Sequence, residues 1–446
     1  MKVIIIGAGE VGYHIAKYLS SEGVDIVLID KNGERLKRVV EELDVTVVEA
    51  EGGDPEALKE AGADKADILL AVTNNDETNM IACLLAKAMF KIPRKIARIR
   101  NPSYSLNKIL LSKEHLDIDP AINPEMESAQ AILRLLKVPF ASEVFEFEKG
   151  KVLVIAYKVP KGSYLIGKRL KDLRPHYFDF LIGFILREDQ VFIPKGDDIV
   201  KEGDLLYIPI RDDQISELAK SLGENQTQIK KMMIMGGGRI GYYLARLIED
   251  DIEVKIIEEK KERCDFLSDN LKKSLILYGD ASDKELLLEE NIKDMDVFVA
   301  TSNKDELNIM VCLLAKKLGV KKVIAIIHRS EYIPLAYNLG VESIINPRIL
   351  TASIILQYIR KGEVLSLSAI REHEAEIIEM QVSVHSEIVG KAIKDIKLPK
   401  DVLVGPIIRG DEVIIPKGDT KINTGDRILF FVKESAVKKL EKLFKD

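Results

Sequence analysis

Short apolar runs separated by amphipathic stretches organise the first part of the chain. VIII (Val3–Ile6) passes through GAGEVG into a helical pattern from Glu10, and DIVLID (Asp25–Asp30) precedes another from Lys31. VTVVEA, DILLAV and KIARI follow, again with helical stretches between them. Strands alternating with helices predict a parallel sheet with right-handed crossovers. From Ala141 to Gly223 the pattern changes: KVLVIAYKV, FLIGFILRED and QVFIPKG read as short strands around turn residues, predicting a small α+β lobe.

The whole arrangement is then repeated. GAGEVGYHIA at Gly7 returns as GGGRIGYYLA at Gly236, and TNNDETNMIACLLAK at Thr73 as SNKDELNIMVCLLAK at Ser302, so that Cys83 and Cys312 coincide. INPEMESAQAI at Ile122 matches INPRILTASII at Ile345, and QVFIPKGD at Gln190 matches EVIIPKGD at Glu412. A few residues lost between these blocks fall in loops, which tolerate such changes. The expected organisation is four lobes, two parallel-sheet and two small α+β, over residues 1–138, 139–223, 230–362 and 363–446, with the polar segment Gly223–Lys231 joining the copies.

Length and composition agree with several folded lobes. The 446 residues exceed what one core usually organises, and 46% hydrophobic with 31% charged residues argues against disorder. The net charge of −6 is spread through interleaved Lys and Glu, without the basic stripe that a nucleic-acid partner requires. No run reaches the roughly 18 apolar residues of a membrane span, and the N-terminal sequence lacks a signal-peptide pattern, so a cytoplasmic chain with at most a peripheral membrane role is expected. Cys83, Cys264 and Cys312 have neither zinc-site nor redox-pair spacing.

The glycine loops carry the clearest chemistry. Gly7, Gly9 and Gly12, with Ala8, Glu10 and Val11 between them, follow a strand and open a helix, the context in which GxGxxG binds a dinucleotide in a Rossmann fold. A pyrophosphate there meets the unpaired N–H groups and positive dipole end of the helix. Asp30 closes the second strand, about 20 residues on, where an acid accepts hydrogen bonds from ribose hydroxyls and disfavours a 2′-phosphate, so NAD or ATP is preferred over NADP. In the second copy Gly236, Gly237, Gly238, Arg239, Ile240 and Gly241 form the loop, and Glu259 falls at the same spacing as Asp30. Thr73 and Asn74, repeated as Ser302 and Asn303, follow the fourth strand at the ligand-binding edge of such sheets; capping of the next helix is the alternative. Arg98 ends the fifth strand in copy one, while copy two has apolar residues there and a later His328-Arg329 pair.

Catalytic groups are scarce. His14, His115, His176, His328, His373 and His385 lie in unrelated contexts without metal-ligand spacing, and the small lobes offer little to enclose a substrate. A non-catalytic switch is expected, with an NAD-dependent oxidoreductase as the alternative.

The initial MKVIIIGAGEVG, Asp30, EGGD (Glu51–Asp54), TNNDETN, Arg98, and the paired IGKRLKDL and VGKAIKDI segments together resemble the tandem RCK (KTN) family of Trk potassium-uptake regulatory subunits. The resemblance implies binding of NAD(H), and of ATP or ADP, through Gly7–Val11, Asp30, Thr73, Asn74 and Arg98, with Gly236–Ile240 and Glu259 as the second set. It also implies a homotetramer whose eight RCK units form a cytoplasmic ring under a Trk-type potassium-transporting membrane subunit. A gating module for another cation channel is the neighbouring reading.

Overall fold

The computed structural model describes residues 1–21, 23–105, 107–173, 181–188, 190–224, 228–359, 364–370 and 374–444. His176, His373, Phe180 at the head of the expected FLIGFILRED strand, and residues 225–227 of the inter-copy segment lie outside this set.

The first parallel sheet contains β1 (Lys2–Ile6), β2 (Asp25–Asp30), β3 (Thr46–Glu49), β4 (Ile68–Ala71), β5 (Arg94–Arg98) and β6 (Ala121–Ile122), in the order β3-β2-β1-β4-β5-β6. The order reverses between β1 and β4, which leaves a crevice at their carboxyl ends. Along β1, Val3 and Ile5 enter one apolar core while Ile4 and Ile6 enter the other, so the run is continuous because both faces are covered. Helix Asp76–Ala88 covers one face with Ala82, Cys83 and Ala86, and helix Glu10–Ser21 covers the other with Val11, Ile15 and Leu19. The second helix starts at Gly33 rather than at Lys31, because the Asn32 side chain accepts from the Arg35 N–H and caps it. The edge strand β6 was not anticipated from sequence: two residues carry no period.

The first small lobe has an antiparallel sheet of β7 (Glu143–Phe147), β8 (Val152–Lys158), β9 (Phe184–Arg187), β10 (Gln190–Phe192) and β11 (Leu205–Arg211). The second copy repeats both folds. Its parallel sheet is β12 (Lys231–Met235), β13 (Glu253–Glu258), β14 (Leu275–Tyr278), β15 (Val297–Ala300), β16 (Lys322–Ile326) and β17 (Ser343–Ile345), in the order β14-β13-β12-β15-β16-β17. Its small sheet is β18 (Val364–Ile370), β19 (Ala375–Gln381), β20 (Val402–Arg409), β21 (Glu412–Ile414) and β22 (Arg427–Lys433), ordered β18-β19-β22-β20-β21. The fold is therefore α/β, with two tandem Rossmann-like lobes and two small α+β lobes.

The chain divides into two compact units that do not follow the sequence repeat. One holds Met1–Ser128 with Asn346–Ile359, and the other holds Ala129–Ile345 with Arg360–Asp446. Helix Pro347–Ile359, which the boundary at 362 assigns to the second parallel-sheet lobe, belongs with the first sheet. Its Ala352, Ile355, Leu356 and Ile359 share a core with Val11, Ile15, Ala16 and Leu19. The Arg94 guanidinium, at the head of β5, donates to the Tyr358 carbonyl near this helix's end, where a cation complements the dipole. In the second unit Lys322, at the corresponding head of β16, donates to the carbonyls of Pro139 at 2.8 Å and Ala141 at 2.7 Å, just past helix Pro124–Lys137. Burial pushes this ammonium down to about 8.

Also within the second unit, the two small sheets share one core: Phe147, Val154 and Phe184 from one meet Ile377, Ile408 and Phe431 from the other. The Phe184 and Phe431 rings meet edge to face with centroids 5.2 Å apart. Room for Phe431 comes from Gly183 and Gly405: a Cβ on Gly183 would lie 2.1 Å from the ring, and one on Gly405 2.8 Å from it. Phe431→Ala should cost about 3–5 kcal/mol and lower the midpoint of chemical denaturation of the intact chain, whereas a midpoint within error of the parent would show that this shared core is not closely packed.

Candidate functional site

Each site begins where the strand-to-helix turn forces glycine. Gly7 has φ +107°, and a Cβ there would crowd the Thr73 backbone at 3.1 Å; a Cβ on Gly12 would lie 1.9 Å from the Gly7 carbonyl oxygen. Gly9, by contrast, has nothing within 4 Å of an added Cβ, so the middle of the loop presents bare backbone to open space. The second loop is built alike. Gly236 has φ +97°, a Cβ on Gly241 would lie 2.1 Å from the Gly236 oxygen, and Gly238 is open. Ala8 and Val11 are buried, as is Ile240, whereas Glu10 and Arg239 are exposed.

Asp30, at the end of β2, faces the first loop: its carboxylate accepts from the Ala8 N–H at 2.6 Å and from the Asn32 N–H at 2.8 Å, with Arg35 3.8 Å away. Each carboxylate oxygen has capacity for a further hydrogen bond, so the group that orders the loop can also accept from a ligand hydroxyl.

In the second copy the equivalent residue is Glu258, a correction to the sequence reading, which selected Glu259. Ile6 pairs with Ile29 and Met235 with Ile257, so the strand-end positions that follow are Asp30 and Glu258. Glu258 accepts from the Gly237 N–H at 2.7 Å and from the Lys260 N–H at 2.9 Å, while Glu259 is exposed. The second copy has one residue fewer between its glycines and the strand, and two adjacent acids concealed the shift.

After β4, Thr73 is tied down by a residue the sequence reading did not single out. Asn79, fully buried on helix Asp76–Ala88, accepts from the Thr73 N–H at 3.0 Å and from its hydroxyl at 2.7 Å, and donates to the Arg98 carbonyl at 2.8 Å. Asn308 repeats the arrangement with Ser302 and the Ile326 carbonyl. The identical spacing within TNNDETN and SNKDELN was the available signal. Helix capping falls to Asn75, which accepts from the Thr78 N–H at 2.6 Å, and not to Thr73 or Asn74.

Asn74 instead meets Arg98, whose guanidinium donates to its side-chain oxygen at 2.9 Å. The Arg98 Nε is buried without a hydrogen-bond partner, and burial pushes the guanidinium pKa down. Arg100, also overlooked, donates to the Asn74 carbonyl. Gly7, Asp30, Thr73, Asn74 and Arg98 thus all lie at the carboxyl edge of one sheet.

The second edge differs. Ile326, fully buried, occupies the position of Arg98, so no guanidinium stands there to donate to Asn303 as Arg98 does to Asn74. His328 stands where Arg100 does, its ring 2.9 Å from the Asp305 carboxylate. Across the loop itself lies Arg263, which donates to the carbonyls of Gly237 at 2.5 Å and Gly238 at 3.3 Å and stacks over Phe266 at 4.2 Å. Its counterpart Arg35 donates to no loop carbonyl among the described hydrogen bonds and is half exposed. Among the described residues no cluster suited to a metal ion is present.

Comparison with known proteins matches this organisation lobe by lobe. Residues 3–124 and 232–347 match the TrkA-N domain, and residues 154–223 and 377–445 match the TrkA-C domain. The Trk system potassium uptake protein TrkA homolog 1 of Methanosarcina mazei is 40% identical over 454 aligned residues, covering all of both chains. The TrkA protein of Halomonas elongata is 38% identical over 450, covering 100% of this chain and 98% of its own. These relatives are named for potassium uptake and not for a catalysed reaction. Among solved structures, the GsuK RCK domain superposes with a TM-score of 0.61 at 17% identity, covering 99% of this chain and 94% of that one. The GsuK channel bound to NAD gives the same TM-score and identity over 99% of this chain and 78% of that one. At such identity these structures speak for the fold. Matched by the same two domain models in both repeats, and by curated relatives from end to end, the chain belongs to the TrkA family of Trk system potassium uptake proteins.

Proposed function

We propose that this chain is the nucleotide-sensing regulatory subunit of a Trk-type potassium uptake system, binding NAD(H), ATP or ADP in its Rossmann-like lobes and gating a potassium-transporting membrane subunit. The observation that carries the reading is the pairing, in each repeat, of a glycine loop open at its centre with a buried carboxylate that faces it. Bare N–H groups at a helix start suit a pyrophosphate, and a strand-end acid suits ribose hydroxyls. Among structures with this fold, one GsuK structure is described as bound to NAD and another as bound to ADP, which supports the same ligand class here.

The regulatory assignment follows from family membership together with the chemistry of the sites, which offer recognition groups but no arranged acid, base and nucleophile. Among the described residues no helix is long and apolar enough to cross a membrane. The working assembly is a ring of eight RCK units from four chains. A ligand that binds one lobe arrangement better than another shifts the population between them, and the ring passes that shift to the partner.

Calorimetric titration of the intact chain with NADH, NAD, ATP and ADP tests the reading. Asp30→Ala and Glu258→Ala should each weaken binding about tenfold, the loss of one charge-assisted hydrogen-bonding group, while Glu259→Ala should leave it unchanged. Absence of binding by all four nucleotides would remove the sensing function.

The Arg263 contact generates a separate expectation. Because its guanidinium spans the two loop carbonyls that flank the open glycine, the second site should bind nucleotide more weakly than the first. Arg263→Ala should narrow the gap between the two affinities by several-fold, roughly one hydrogen bond's worth; a two-site isotherm that does not change would mean that this side chain moves aside without cost.

A further inference from the structure

Helix Pro347–Ile359 brings one charged side chain of the second repeat to the first repeat's glycine loop. Arg348 lies in its opening turn, where Asn346 accepts from the Arg348 N–H at 2.9 Å and from the Ile349 N–H at 3.0 Å and so fixes the backbone. The Arg348 guanidinium reaches within 3.4 Å of the Glu10 carboxylate, in the first turn of the helix that follows the loop. Its charge is also felt at Arg98, whose pKa is lowered first by burial and further by Arg100 and Arg348, against Glu125 and Asp76, which raise it.

Within this cluster the Arg98 guanidinium keeps one donor unpaired. Asp76 spends one oxygen on the backbone N–H groups of Arg100 and Asn101, at 3.0 and 2.8 Å. One oxygen of Glu125 and the Arg98 Nε are buried with no hydrogen-bond partner. Glu10 remains about half exposed and stands at the positive end of a helix, the place a ligand phosphate would claim. An arginine beside it can release the carboxylate and take up the phosphate, since a guanidinium fork binds phosphate oxygens bidentately.

We infer that the first site takes a nucleoside di- or triphosphate, and that its terminal phosphate is held by Arg348 of the second repeat together with Arg98 of the first. This rests on the nucleotide-binding reading above and names the ligand end that each repeat reads. Arg348 moves from Glu10 to the phosphate on binding, so the first site is complete only when the second repeat's helix is seated on the first sheet. A dinucleotide, whose phosphates are both esterified internally, gains less from Arg348 than ATP does.

Titration of the intact chain with ATP, ADP, AMP and NADH, with photolabelling by 8-azido-ATP and peptide mapping to score the first repeat alone, provides the test. Arg348→Ala should weaken ATP at the first site about tenfold, the effect of removing a charge-assisted contact, and change AMP and NADH less than twofold. Arg348→Lys should recover part of the ATP affinity, and Glu10→Gln should tighten ATP by freeing the arginine. Denaturation midpoints without nucleotide separate a loss of recognition from a loss of helix seating. Equal losses for ATP, AMP and NADH, or undiminished ATP binding in Arg348→Ala, would overturn the inference while leaving nucleotide sensing intact. Failure of the unmodified chain to bind any nucleotide would overturn both.

Discussion

Helix Pro347–Ile359 must bury an apolar face, and the sheet that covers it is the first repeat's. Ala352, Ile355, Leu356 and Ile359 close the core that Val11, Ile15 and Leu19 begin, and a hydrophobic face of this size has no stable alternative in water. Much else in this unit depends on that one packing arrangement. It fixes the helix start beside the first glycine loop, sets the Arg94 guanidinium against the helix's closing carbonyls, and delivers Arg348 to Glu10. The first unit is therefore built from both repeats, its sheet from one and this covering helix from the other.

The glycine loops show a second economy. Gly7 and Gly12 are glycines because backbone oxygen or nitrogen stands where a side chain would go, and Gly9 is open because nothing does. The carboxylates of Asp30 and Glu258 hold their loops by accepting backbone N–H groups.

Duplication preserved the architecture and let the charges diverge. Glu10 faces Arg239 in the alignment of the repeats, Glu125 faces Arg348, and Arg98 faces a buried Ile326. Arg263 lies across the second loop, whereas its counterpart Arg35 stays near Asp30. Two lobes with one fold therefore carry different charges around their glycine loops.

The sequence by itself determined the two parallel sheets, the two small lobes, the glycine loops and the identity of Asp30. These follow from local periodicity and from steric rules that operate within a few residues of the backbone. Asn79 and Asn308 were legible as a repeated position but not as the link between two loops, because their partners lie on other strands. Glu258 was missed by counting, since only strand register shows which of two neighbouring acids points at the loop. The tertiary structure alone decided which sheet helix Pro347–Ile359 covers, and with it the meeting of Arg348 and Glu10. An amphipathic pattern states that a face will be buried; the partner is chosen by packing between segments far apart in the chain, and that choice leaves no local mark.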